Sequence, residues 1–366
     1  MTCWRWGMLL QVQSTEPLED WIKQGRLRRA GPDHPSADTL RRRLDRVDPV
    51  AWHRLLHQVG RRLLRNRLAD RHRVGGQRVV VLDGVEPWEH PADPCAACLT
   101  RHHTNGTVGY SHRLVVASLV GPVPVVLAWT GQHPEDGATK AEGELTAAHR
   151  WLADLAHTYH HSFDVRVRDA LYCNRPLLAA IRDRGGAAVI RLQDERRTLG
   201  QDAVDLLAGT APVATRTTPR ETIPVWEATD VPGDPVEGLR VVHGQRVDRA
   251  DATVHPGWAV SSCGPAVTAL DVYDIMHHRW DEENGVFREG QTTWQLAHAF
   301  GHTPALVEAT WGLPLLAWSI WHWWQAQGTR SRADQRRPRV RLVERARDAC
   351  AGLRTSWAAA FWHTPP

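Results

Sequence analysis

The 366-residue sequence predicts an α/β fold in which a mixed sheet with flanking helices is preceded by a helical region and interrupted late by a β-rich insertion. Three observations carry that expectation. Continuous apolar runs of strand length, such as RVVVLDG at 78–84, alternate with longer stretches of helical period. Aspartates close two of those runs. Positive charge is also segregated: twelve arginines face three acids between Arg41 and Arg78, and eight face three between Arg330 and Asp348, in a chain whose formal net charge is only +4.

Residues 1–75 read as helical and basic. Ser36 is suited to cap one helix, and Asp48-Pro49 is a stop-and-restart signal for the next. Leu55, Leu56, Val59, Leu63 and Leu64 make an apolar face, leaving Arg41, Arg42, Arg43, Arg61, Arg62 and Arg65 for the other. Such a face is either merely solvated or a surface for a polyanion such as double-stranded DNA.

After Gly75-Gly76 the pattern changes, and residues 76–195 form the first part of the core. RVVVLDG is a buried strand that ends at Asp83; HRLVVASLV and PVVLAW are two more, joined by Gly121-Pro122. EGELTAAHRWLADLAHTY is helical. FDVRVRDALY is a strand with Asp169 just past its end, NRPLLAAIRDRGG a helix between Asn174 and Gly185, and AAVIRL a last strand. Three strands, helix, strand, helix, strand is the order of a ribonuclease-H-like fold. Residues 196–264, rich in Thr, Pro, Gly and Val, read as the β insertion; 265–327 return to the core; 328–366 form a basic tail.

The returning segment, MHHRWDEENGVFREGQTTWQLAHAF at 276–300, holds three successive acids. At 100° per residue, Met276, Trp280, Phe287 and Trp294 fall within roughly 40° of one another, and Glu283 falls inside that arc while Asp281 and Glu282 point away. A carboxylate in an apolar stripe must be neutral, paired with a cation or bound to a metal. Arg279, one turn earlier, is the cation alternative. The metal alternative comes from topology: the first and fourth strands of a ribonuclease-H-like sheet are neighbours, so Asp83 and Asp169 would meet and Glu283 would join them. Carboxylates in such a cluster suit Mg²⁺, with Mn²⁺ as substitute, and two ions can activate one oxygen and stabilise the other in phosphodiester cleavage.

VVLDG, GYSHRLVVASLVG, FDVRVRDALYCNRPLLAAIRDRG, VIRLQDERR and HHRWDEENGVFREGQTTWQLAHAFGHTPALVEATWGLPLLAW together resemble the DDE transposases of bacterial insertion sequences, over about Gly76 to Trp324. The most specific part is Arg279-Trp280-x-x-Glu283-Asn284, which resembles the R-W-x-x-E-N signature around the catalytic glutamate. The resemblance implies catalytic and metal-binding roles for Asp83, Asp169 and Glu283, and substrate or structural roles for Arg279 and Asn284. It also implies cleavage at element ends, strand transfer into target DNA, and a homodimer in a synaptic complex. Met276 and Gly290 stand where the signature has Tyr and Lys; that Lys contacts a DNA phosphate, which leaves the contact to Arg288 or absent.

HPADPCAACLTRHH supplies a second metal expectation: Cys95 and Cys98 have ligand spacing, and His102 or His103, with His90, would complete a Zn²⁺ site, the alternative being reduced thiols in a loop. Six scattered cysteines do not make a disulfide framework, the first residues lack the apolar run of a signal peptide, and ALVEATWGLPLLAWSIWHWW is broken by Glu308, Pro314 and His322, so a cytoplasmic, nucleoid-associated protein without a membrane span is expected. The functional expectation is a DNA transposase. Its alternatives are a two-metal nuclease without strand transfer and a decayed transposase that retains only DNA binding.

Overall fold

Eleven strands among the described residues join into one sheet, ordered β3-β4-β2-β6-β7-β11-β10-β9-β8, with β1 on β2 and β5 on β4. In this computed structural model the residues described are 15–23, 35–67, 70, 73–92, 95–121, 124–137, 139–192, 198–229, 231 and 238–328. Of the basic tail expected at 328–366, residues 329–366 lie outside them. The strands are β1 (Arg73–Val74), β2 (Gln77–His90), β3 (Leu99–His102), β4 (Val108–Leu119), β5 (Val125–Gly131), β6 (Val165–Arg168), β7 (Ala187–Leu192), β8 (Ala214–Thr217), β9 (Glu221–Thr229), β10 (Arg240–Asp248) and β11 (Val254–Ser261).

β2 is central, antiparallel to β4 and parallel to β6, which is in turn parallel to β7. Its residues alternate between two cores, so the run Val79–Leu82 is apolar on both faces. Val80 and Leu82 pack with Trp151, Leu152 and Leu155 of the helix Lys140–Tyr159 and with Leu177 and Ile181 of the helix Arg175–Asp183. Val79 and Val81 pack with Val272, Ile275 and Met276 of the helix Ala269–His277 on the other face. Thr268 caps that last helix, with Asp271 completing a reciprocal capping box.

β2 does not end at Asp83, as the sequence suggested, but runs on to His90. Pro87, which has no N–H to give a ladder, is passed by a register irregularity between Val85 and Trp88. The β-rich segment after 196 extends the same sheet through the β11–β7 ladder.

The chain divides into two compact units, His53–Arg288, which carries the sheet, and Met1–Trp52 with Glu289–Pro366. Within the second, Leu40, Leu44, Trp311 and Trp318 are buried, and Glu289 accepts hydrogen bonds from the indole of Trp318 at 3.2 Å and of Trp294 at 3.5 Å. Among the described residues no helix is long and apolar enough to cross a membrane.

Candidate functional site

The β2–β6 ladder fixes the first pair of acids. Val79, Val80 and Val81 face Val165, Arg166 and Val167, and two further steps in that register bring Asp83 level with Asp169. Parallel neighbours lie about 4.8 Å apart. Both acids also have the parity of Val81 and Val167, which belong to the core beneath the helix Ala269–His277. Asp169 begins a short turn, its Oδ1 accepting from the Leu171 N–H at 3.0 Å.

Arg279 ties the third acid to the first. Its side chain is buried, and one nitrogen, Nη1, donates to Asp83 Oδ2 at 3.1 Å and to Glu283 Oε1 at 2.8 Å. The two carboxylates therefore stand within two hydrogen-bond lengths of each other, held by a single guanidinium. The cation alternative for Glu283 is present: it pairs with Arg279, and the same guanidinium nitrogen also holds Asp83. Arg279 is thus engaged with two acids, not presented to a phosphate, whereas Asn284 and Arg288 are exposed.

Of the apolar arc expected around Glu283, Met276, Phe287 and Trp294 are buried, but Glu283 is 44% exposed and Trp280 37% exposed, while the neighbouring Glu282 is completely buried. No single 100° phase runs through the segment: the helix Ala269–His277 is followed by a short helical turn, Arg279–Asp281, and then by a π-helix, Glu282–Phe287. The buried positions become Met276, Arg279, Glu282, Val286 and Phe287. The Ser118 hydroxyl donates to Glu282, and burial drives the pKa of that carboxyl well above the usual range.

A fourth carboxyl enters from the opposite face. Glu144, on the helix Lys140–Tyr159, is buried and accepts a hydrogen bond from the Tyr172 hydroxyl at 2.6 Å. Its carboxyl carbon lies 2.6 Å from where a side chain on Gly84 would begin, so only glycine beside Asp83 leaves it room. Burial raises its pKa. The sequence held the signal: Glu144 precedes Ala147, Ala148, Trp151 and Leu155, all buried, at the spacing of one helical face.

These neighbours set the protonation of Asp83. Its pKa is pushed up to about 7, first by burial and further by the negative charges of Asp169 and Glu144, with Arg279 opposing. A buried acid held half-protonated among other acids is a group lacking cationic charge. The donors are all carboxylate oxygens, as a hard divalent ion requires.

The basic residues expected to meet a polyanion are at the surface: Arg41, Arg42, Arg43, Arg61, Arg62 and Arg65 are all exposed. Arg42 pairs with Asp38 at 2.7 Å, and Arg61 Nε donates to the Thr158 carbonyl at 3.1 Å. Cys95 and Cys98 do come together with a histidine, but it is His112; the expected ligand His102 is exposed at the far end of β3.

No family model matches the sequence, and no curated protein does. Among solved structures the chain is similar to a piggyBac transposase in the cryo-EM structure of its synaptic complex with hairpin DNA, at a TM-score of 0.38 and 8% identity, over 76% of this chain and 58% of that one. It thus spans little more than half the length of that protein. At this degree of likeness function has to be read from the site itself.

Proposed function

We propose that the unit His53–Arg288 is a ribonuclease-H-like catalytic domain of a DNA transposase, cutting phosphodiesters and joining the freed 3′ hydroxyl to target DNA. The observation that carries this reading is the gathering of three acids from distant parts of the chain: Asp83 on β2, Asp169 just past the end of the parallel neighbour β6 and close enough for its charge to raise the Asp83 pKa, and Glu283 linked to Asp83 by Arg279. The sheet supports it, because β5-β4-β2-β6-β7, with β6 and β7 parallel to β2, is the strand arrangement expected of that fold.

Asp83, Asp169 and Glu283, with Glu144 beside them, would hold Mg²⁺ or Mn²⁺. Such ions, when bound, lower the pKa of an attacking oxygen and stabilise the leaving one. The chain's own residues perform the remaining tasks. Arg279 neutralises Asp83 and Glu283 when no other cation is near and keeps them convergent. Asp83, with its pKa about 7, must release its proton to become a ligand. Glu282 is fully buried, and burial opposes its ionisation. The exposed arginines of the preceding helices would hold DNA through phosphates, and two ends brought together imply at least a dimer during reaction.

The test is cleavage and strand transfer on DNA carrying the ends of the element. Asp83→Asn, Asp169→Asn and Glu283→Gln should each abolish Mg²⁺-dependent cleavage while leaving DNA affinity within a few-fold. Cleavage by any of the three at the wild-type rate overturns the assignment of that residue. A precut donor end separates the alternatives: a nuclease gives no joined product, and a protein retaining only DNA binding gives neither cut nor joined product.

A further inference from the structure

We propose a second metal site, for Zn²⁺, formed by Cys95, Cys98 and His112, distinct in position and chemistry from the carboxylate cluster. Cys95 Sγ and Cys98 Sγ lie 3.5 Å apart, and His112 Nε2 lies 3.4 Å from the first and 3.3 Å from the second. The sulfurs are not bonded to one another, since a disulfide is about 2.0 Å long. Zinc–sulfur bonds of about 2.3 Å and a zinc–nitrogen bond of about 2.0 Å, arranged tetrahedrally, separate the ligand atoms by roughly 3.5–3.8 Å. The three atoms therefore need to move apart by only a few tenths of an ångström to hold the ion. Two thiolates and an imidazole favour zinc over Mg²⁺.

Local structure explains the convergence. Residues 95–98 form a tight turn in which the Cys98 N–H donates to the Cys95 carbonyl at 3.0 Å and the Cys95 N–H donates to Cys98 Sγ at 3.3 Å. The β3–β4 ladder pairs Leu99 with Ser111, so one step back places Cys98 opposite His112. His102 pairs with Val108 at the other end of the same ladder, about 13 Å along a strand from Cys98. His103 Nε2 is on Glu89 at 2.7 Å. The C-x3-H spacing that made His102 attractive brings ligands together on a helix, whereas here it spans a strand.

The site would act as a staple. It fastens the excursion between β2 and β3 to β4, at the residue that pairs with Trp88 beyond the irregularity in β2. This proposal does not depend on the transposase reading.

The test uses the full chain, produced with zinc and without a metal-binding tag. Metal analysis should give one zinc per chain for the wild type and for His102→Ala, and none for Cys95→Ser or Cys98→Ser. Because those serine variants may fold poorly, thiol protection in the wild type provides a second measurement. With zinc bound, Cys95 and Cys98 should resist alkylation and become reactive on chelation, while Cys173 should react equally in both states. Cobalt(II) in place of zinc should show thiolate charge-transfer absorption. A wild-type chain that holds no zinc when saturated, or equal alkylation of Cys95 and Cys98 with and without metal, overturns the proposal; zinc lost in His102→Ala would assign the ion to another ligand set.

Discussion

Asp83→Asn should stabilise the metal-free protein in alkaline solution while destroying its response to Mg²⁺. In the folded protein Asp83 has a pKa of about 7 against an ordinary 3.8. Between those values the folded state holds a proton that the unfolded state has released. Unfolding then releases protons, so stability falls as pH rises from about 4 to about 7 and is level outside that window. A shift of about three units corresponds to roughly 4 kcal/mol. The side chain is only 12% exposed, so little of this is screened by solvent. Asparagine has the same shape without the titration. The stability difference between variant and wild type should therefore grow, in favour of the variant, by roughly 4 kcal/mol from pH 4 to pH 8.

The assay is urea unfolding across that range in EDTA, followed by tryptophan fluorescence. The many histidines titrate in both proteins and cancel in the difference. Adding Mg²⁺ at pH 8 should stabilise the wild type by mass action and leave Asp83→Asn unmoved. Parallel pH profiles for the two proteins would refute the reasoning, because they would mean that Asp83 ionises as it does in water and is not crowded by Asp169 and Glu144.

Other expectations follow from the same geometry. Mg²⁺ affinity, measured by calorimetry, should drop about tenfold for each pH unit below about 7, since Asp83 must lose its proton to bind; an affinity flat from pH 5 to pH 8 would exclude Asp83 as a ligand. Gly84→Ala should displace the Glu144 carboxyl and lower cleavage at least tenfold with DNA affinity preserved, whereas wild-type cleavage would show that Glu144 has no part in the site. Glu282→Gln, which keeps the shape of a fully buried acid whose ionisation burial opposes, should change stability at pH 7 by less than about 1 kcal/mol, and a large loss in urea unfolding would indicate that the acid is ionised. DNA affinity should fall steeply with salt, and Arg41→Ala, Arg42→Ala and Arg43→Ala together should lower the slope of log K against log salt by roughly 3.

What could be read from the sequence was whatever depends on local pattern. The runs RVVVLDG and AAVIRL are apolar because their strands are covered on both faces, and FDVRVRDALY alternates valine with arginine, so β2, β6 and β7 were visible, and with them the expected closeness of Asp83 and Asp169. Glu144 was equally legible, as an acid on the apolar face of its helix and not at a strand end. His112 was harder to find, because its place beside Cys98 comes from the β3–β4 register and strand pairing leaves little trace in one sequence.

The helix carrying Glu282 and Glu283 shows why a wheel fails where the chemistry is concentrated. A regular α-helix would put one of the three acids in the apolar stripe, and Glu283 was the one chosen at 100° per residue. Glu282, the first residue of the π-helix, takes the buried place instead. The exchange has an electrostatic rationale. Full burial opposes ionisation and raises the pKa of Glu282. Glu283 at the margin keeps both solvent and the Arg279 guanidinium. Deleting one residue within 284–286 should leave the i,i+4 pair of Glu283 with Arg279 in place but shift Val286 and Phe287 out of their buried positions, lowering both stability in urea unfolding and cleavage. If such a deletion folds and cleaves normally, the π-turn has no role in setting the site.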